Sequence, residues 1–110
     1  MNLFSTRRTN ATRQGLDDAT VHAWYRFVLS YPDHLVKDML AHFAVQRGQI
    51  VLDPFVGTGT TLVECKRAGI RSIGVDANPV TAFASQVKTD WDIDLVLLDE
   101  QISQILATIE

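Results

Sequence analysis

The chain has 110 residues, 46% of them hydrophobic and 21% charged, which suits one small globular domain and no more. No run approaches the roughly 20 apolar residues of a membrane span, and the opening residues hold no apolar signal core. The formal net charge of −3 sets the chain apart from strongly basic nucleic-acid binders, and one cysteine excludes a disulfide scaffold.

Charge is split along the chain. Residues 1–48 carry six Lys/Arg against four Asp/Glu, and residues 49–110 carry four against nine. Residues 1–20 read as a flexible polar segment in which Arg7, Arg8 and Arg13 are solvated, and Asn10-Ala11-Thr12 spells a sequon with no sign of secretion. Val21, Trp24, Tyr25 and Val28 then form a short amphipathic stretch, so the aromatic pair is expected in the core rather than stacked on a base. Ser30 is expected to cap a helix whose early turn contains Pro32, with Asp33 beside the positive helix end. Leu35, Val36, Met39, Leu40 and Phe43 recur at helical spacing, and Gly48 is expected to end the helix. His22, His34 and His42 share no metal-ligand spacing with a cysteine, so solvated or hydrogen-bonded imidazoles are expected and no metal site.

Ile50-Val51-Leu52 is short and uniformly apolar, the pattern of a buried parallel strand. It places Asp53 at its carboxyl end, where open α/β sheets bind ligands. Gly57 and Gly59 bracket Thr58 and let the backbone turn sharply and approach a ligand with no Cβ between them. Thr60 or Thr58 is expected to cap a helix over 61–68, with Gly69 as its stop. Residues 70–75 give a second strand ending on Asp76, 23 positions after Asp53 and close to the ~20-residue offset at which an acid meets ribose hydroxyls.

The loop narrows the ligand. A dinucleotide loop wants a third glycine where Leu62 stands, and a phosphate loop of the Walker type wants a lysine where Thr60 and Thr61 stand. No cation lies in the loop to balance phosphate; Asp53 would repel phosphate and suits an ammonium group. S-adenosylmethionine carries an ammonium and a ribose without a phosphate, and these residues favour it.

Beyond Asp76, Asn78 and Pro79 read as the N-cap and first residue of a helix through about Lys88. Asp90, Asp92 and Asp94 form a polar connection. Leu95, Leu98, Ile102, Ile105, Leu106 and Ile109 then repeat at three- and four-residue intervals in a final amphipathic helix whose apolar stripe needs a cover. Cys65 is expected to be a buried, reduced thiol in a cytoplasmic protein.

Residues 53–61, Asp-Pro-Phe-Val-Gly-Thr-Gly-Thr-Thr, resemble the cofactor motif of the DNA amino-methyltransferases, which methylate the exocyclic amine of adenine or cytosine. Residues 74–79, Gly-Val-Asp-Ala-Asn-Pro, are similar to their second motif. Residues 25–40 resemble a further cofactor motif, which precedes the loop in some circular permutations of the family. The resemblance covers about residues 22–80. It implies an α/β, Rossmann-like S-adenosylmethionine methyltransferase fold, here incomplete, with few parallel strands flanked by helices. It gives Asp53 the methionine end of the cofactor, passes Gly57, Thr58 and Gly59 beneath it, makes Phe55 an apolar wall and gives Asp76 the ribose. Pro54, Thr60, Thr61, Ala77 and Asn78 fall within the same two motifs. Ser30 and Tyr31 are expected to border the cofactor, with plain packing of Tyr31 and Phe27 as the alternative.

The family's catalytic tetrapeptide, an Asp, Asn or Ser followed by Pro-Pro and an aromatic residue, is absent: Pro32, Pro54 and Pro79 are all isolated. No catalytic residue is therefore assigned. The expected organisation is a partial methyltransferase domain of four segments, 1–20, 21–48, 49–89 and 90–110, inactive alone. Its DNA contacts would come from a missing part or a complementary methyltransferase half. A methyltransferase acting on tRNA guanine amines shares a similar loop and is the nearer rival, although Thr60-Thr61 and Tyr31-Pro32 lean toward DNA. A non-catalytic assembly subunit is the rival from another class.

Overall fold

The structure, a computed structural model, describes residues 19–25 and 30–109. The basic tail with its sequon and the positions of Phe27 and Val28 lie outside the described residues. The order is α1 (Ala19–His22), α2 (Asp33–His42), β1 (Ile50–Asp53), α3 (Thr60–Arg67), β2 (Arg71–Gly74), α4 (Pro79–Thr89) and α5 (Leu95–Ala107). β1 and β2 pair in parallel from Ile50↔Arg71 to Asp53↔Gly74, with α3 connecting them, so the arrangement is α/β.

α3 lies against both strands and is itself flanked by α1, α2 and α4. The buried apolar core is Val36, Val56, Val63, Cys65, Ile70 and Ala84. Among the described residues only one side of the sheet is covered. Strand alternation turns Val51, Asp53, Ser72 and Gly74 toward α3, and a Cβ on Gly74 would lie 2.7 Å from Val56 Cγ2. Ile50, Leu52 and Ile73 face the other way, with Leu52 62% exposed. The expected buried strand is thus half right: the run is apolar on both sides because it is built for two covers, and the described residues supply one.

Helix ends carry the clearest local logic. α3 closes in a Schellman motif, Gly69 N donating to Lys66 O at 3.1 Å and Ile70 N to Cys65 O at 2.8 Å. α4 opens as expected, with Pro79 at its first position and Asn78 Oδ1 accepting from Val80 N at 2.9 Å. Asp94 caps α5 by accepting from the amides of Val96 and Leu97. Two expected caps do not form. Ser30 does not cap α2, whose N-cap is the extended Pro32, and neither Thr58 nor Thr60 caps α3, whose N-cap is Gly59. α2 also stops at His42, short of Gly48, because Ala44 takes a left-handed conformation at φ 48°.

Trp24 and Tyr25 are not core residues: Trp24 is 51% and Tyr25 42% exposed. α1 is a single turn, and the side chain it sends inward is His22. α5 is amphipathic as expected, and every residue of it is exposed. Among the described residues no helix is long and apolar enough to cross a membrane.

Candidate functional site

Parallel pairing brings the carboxyl ends of both strands, and so Asp53 and Asp76, to one edge of the sheet. The ladder continues past the strand ends, Val75 N donating to Asp53 O and Val56 N to Val75 O. The loop from Pro54 to Gly59 therefore starts pinned between the two acids.

Asp53 is held by three donors. Phe55 N reaches Oδ1 at 3.0 Å, while the hydroxyls of Tyr31 and Thr61 each reach Oδ2 at 2.6 Å. Burial pushes its carboxyl up, but the bonds from Thr61, Tyr31 and the Phe55 amide outweigh that and hold it below the ordinary carboxylate value. Burial, and the bond to Asp53, push Tyr31 up to about 12, so this phenol stays a donor. Asp76 accepts from Asn78 N at 2.7 Å and Thr81 Oγ1 at 2.9 Å on Oδ1, and from Gly57 N at 2.8 Å on Oδ2. The Asn78 amide first, then the Thr81 hydroxyl and the Gly57 amide, hold it below the ordinary value too. Asp76 nudges Asp53 upward, so the two charges lie within electrostatic reach. Neither pairs with a Lys or Arg among the described residues. Two carboxylates at one sheet edge, with no Lys or Arg partner among the described residues, attract a cation and repel phosphate.

The two loop glycines have different tasks. Gly57 (φ 52°) has nothing within 4 Å of where a Cβ would stand, so its bare backbone faces open space. Gly59 (φ 90°) is buried, and its missing Cβ would lie 2.7 Å from Ser85 Cβ on α4. The missing Cβ leaves the room in which α4 packs against the start of α3. Phe55 is 84% exposed beside the loop, and Pro54, Ala77 and Asn78 are exposed as well. Thr60 is buried in the first turn of α3.

The segment ahead of α2 reaches the same place. Ser30 Oγ lies 2.9 Å from the Thr58 hydroxyl, and Tyr31 meets Asp53 and Thr61. An open groove of about 380 Å³ runs from Tyr31, Asp53, Pro54 and Thr61 along Leu35, Met39 and Phe43. Sequence spacing did not reveal the Tyr31–Asp53–Thr61 cluster or the parts played by Thr81 and Ser85. No periodicity marks a contact between residues 22 positions apart, as Tyr31 and Asp53 are.

A second polar cluster lies buried behind α3. His22 Nε2 lies 2.7 Å from Glu64 Oε1, and Arg67 and Lys37 flank Glu64 at 3.1 and 3.7 Å. Lys37 also bonds Asp33 at 2.7 Å, and Lys88 Nζ donates to the carbonyls of His22 and Tyr25. Ligand atoms of His22, Asp33 and Glu64 lie within 4.8 Å of one another. Lys37 and Arg67 already balance the two carboxylates, so the cluster works as an ion-pair clamp joining α1 and α2 to α3.

A family model described as DNA methylase matches residues 3–85, three quarters of the chain and all of the site just described. The chain is a member of the DNA amino-methyltransferase family. Among curated relatives, the type II methyltransferase M.BsoBI of Geobacillus stearothermophilus is 32% identical over 93 residues, covering 84% of this chain and 18% of that protein. The type II methyltransferase M.MjaII of Methanocaldococcus jannaschii is 42% identical over 84 residues, covering 72% of this chain and 16% of its own length. The chain thus spans under a fifth of the length of these relatives. No solved structure matches the chain. α5 lies beyond the residues that match the amino-methyltransferase family model.

Proposed function

We propose that this chain is the S-adenosylmethionine-binding portion of a cytoplasmic DNA methyltransferase acting on the exocyclic amine of adenine or cytosine. The observation that carries it is the pair of carboxylates, Asp53 and Asp76, at adjoining parallel strand ends, with no Lys or Arg partner among the described residues and the Gly57 backbone between them. The residues fit the cofactor. Asp53 is ionised and suits its ammonium, Asp76 suits its ribose hydroxyls, and exposed Phe55 offers an apolar wall. The loop carries no cation that a phosphate would need. The fold is accordingly read as part of a Rossmann-like methyltransferase domain, with residues 21–48 and 49–89 forming the site and residues 90–110 a C-terminal amphipathic segment.

When bound, S-adenosylmethionine supplies a methyl group on a positively charged sulfur. The part of this chain is to bind and orient: Asp53 and Asp76 anchor the two ends, and Phe55 offers an apolar wall beside them. The Pro-Pro-aromatic tetrapeptide that would hold the target amine is absent from these 110 residues, so the base and the DNA are engaged by another segment or a complementary half. Flipping of the target base and in-line alignment of its amine belong to that part.

Calorimetric titration of the chain with S-adenosylmethionine tests the assignment. Saturable one-to-one binding is expected, weakened roughly tenfold by Asp76→Ala through lost hydrogen bonds to the ribose. Equal affinity in that variant would remove Asp76 from the site. Methyl transfer by the full-length enzyme to duplex DNA but not to tRNA would separate the DNA and RNA alternatives.

A further inference from the structure

An ionised carboxylate offers about four acceptor positions, two on each oxygen. On Asp53, Oδ2 takes the hydroxyls of Tyr31 and Thr61, and Oδ1 takes the Phe55 amide. The two hydroxyl oxygens also lie within hydrogen-bonding distance of each other. Each has one hydrogen, so two hydrogens serve the three contacts among these oxygens, and the pair closes on Oδ2 as one triangle that occupies that side of the carboxylate. Among the described residues no further donor reaches this carboxylate, which leaves one acceptor position on Oδ1.

We propose that Tyr31 and Thr61 are positioning residues that act through Asp53: by filling Oδ2 they fix the carboxylate's rotation and leave one Oδ1 position for a cationic donor of the ligand. The proposal rests on Asp53 meeting the ammonium of the cofactor, as set out above, and extends it to two residues that need not touch the cofactor. Tyr31 sits on the segment leading into α2 and Thr61 in the first turn of α3, so the carboxylate is braced from two separate elements. A lone Asp at a strand end could turn about its own side-chain bonds and present either oxygen. The bracing removes that freedom before the ligand arrives, which lowers the ordering cost of binding. Both donors also favour the ionised acid, so the ammonium meets a full charge.

The test uses the whole chain, with folding checked by circular dichroism. Tyr31→Phe and Thr61→Val delete one hydroxyl each with little change of shape, and Thr61→Ser restores the donor. Three readouts are compared: affinity for S-adenosylmethionine, affinity for 5′-methylthioadenosine, which lacks the amino-acid end, and the Asp53 carboxyl titration by carbon NMR without ligand. Tyr31→Phe and Thr61→Val should each weaken S-adenosylmethionine binding roughly tenfold, leave 5′-methylthioadenosine binding unchanged and raise the Asp53 titration. Thr61→Ser should match the unsubstituted chain. Equal weakening of both ligands, or an unmoved Asp53 titration, would overturn the proposal by reducing the hydroxyls to packing. Failure of the underlying assignment looks different: Asp53→Asn would then leave S-adenosylmethionine affinity untouched, and the positioning role would fall with it.

Discussion

At the scale of single residues, the two loop glycines differ in what a side chain would meet. Alanine at position 59 must accept a left-handed backbone and a Cβ 2.7 Å from Ser85 Cβ. Gly59→Ala should therefore lower thermal stability by roughly 1–3 kcal/mol. Gly57→Ala meets open space, so its stability loss should be smaller while its methyl intrudes where the ligand is expected. Thermal melts beside cofactor titrations of the two variants check the contrast, and an equal loss of stability in both would contradict it. Glu64 gives a pH prediction. Burial raises its carboxyl, but His22, Lys37 and Arg67 outweigh burial and hold it below the ordinary value. Its contribution is present above the unfolded-state pKa and is lost as the pH falls through the lower folded value. Stability measured by urea titration should decline on acidification below about pH 4.5, and Glu64→Gln should flatten that decline while lowering stability at neutral pH.

At the scale of elements, helix ends show how much of the fold the sequence made legible. Asn78-Pro79 and Asp94 were readable because capping needs only one side chain and the amides two or three residues on. Asp94→Ala should cost α5 about 1 kcal/mol, seen as lost helical circular dichroism, since α5 has no buried residue to hold it otherwise. Ser30, Thr58 and Thr60 were misread for the opposite reason. Their hydroxyls had the chemistry of caps, but Ser30 and Thr58 bond each other across 28 positions, and Gly59 takes the cap of α3. The apolar runs at Ile50–Leu52 and in α5 were visible as runs, yet whether anything covers them depends on neighbours that periodicity does not name. For the site, Asp53, Gly57 and Asp76 stood out by spacing and residue type, whereas Tyr31's bond to Asp53 and Thr81's bond to Asp76 come from tertiary packing.

At the scale of the whole molecule, the described residues leave two apolar surfaces open: the sheet side bearing Ile50, Leu52 and Ile73, and the stripe of α5 with Leu98, Ile102 and Ile105. Surfaces of this kind mark contacts with further protein. The isolated chain should bind a hydrophobic dye such as anilinonaphthalene sulfonate and self-associate in sedimentation experiments. Leu98→Asp with Ile105→Asp should reduce both while leaving cofactor affinity unchanged, because α5 contributes nothing to the Asp53–Asp76 edge. A monomer that ignores the dye would show these faces to be covered in solution.

A crystal of the chain grown with S-adenosylmethionine puts the central claim to the most direct test. Density for the nucleoside should lie at the carboxyl ends of β1 and β2, its ammonium on Asp53 Oδ1 and its ribose hydroxyls beside Asp76. A cofactor seated elsewhere, or reversed so that neither acid meets those groups, would contradict the account.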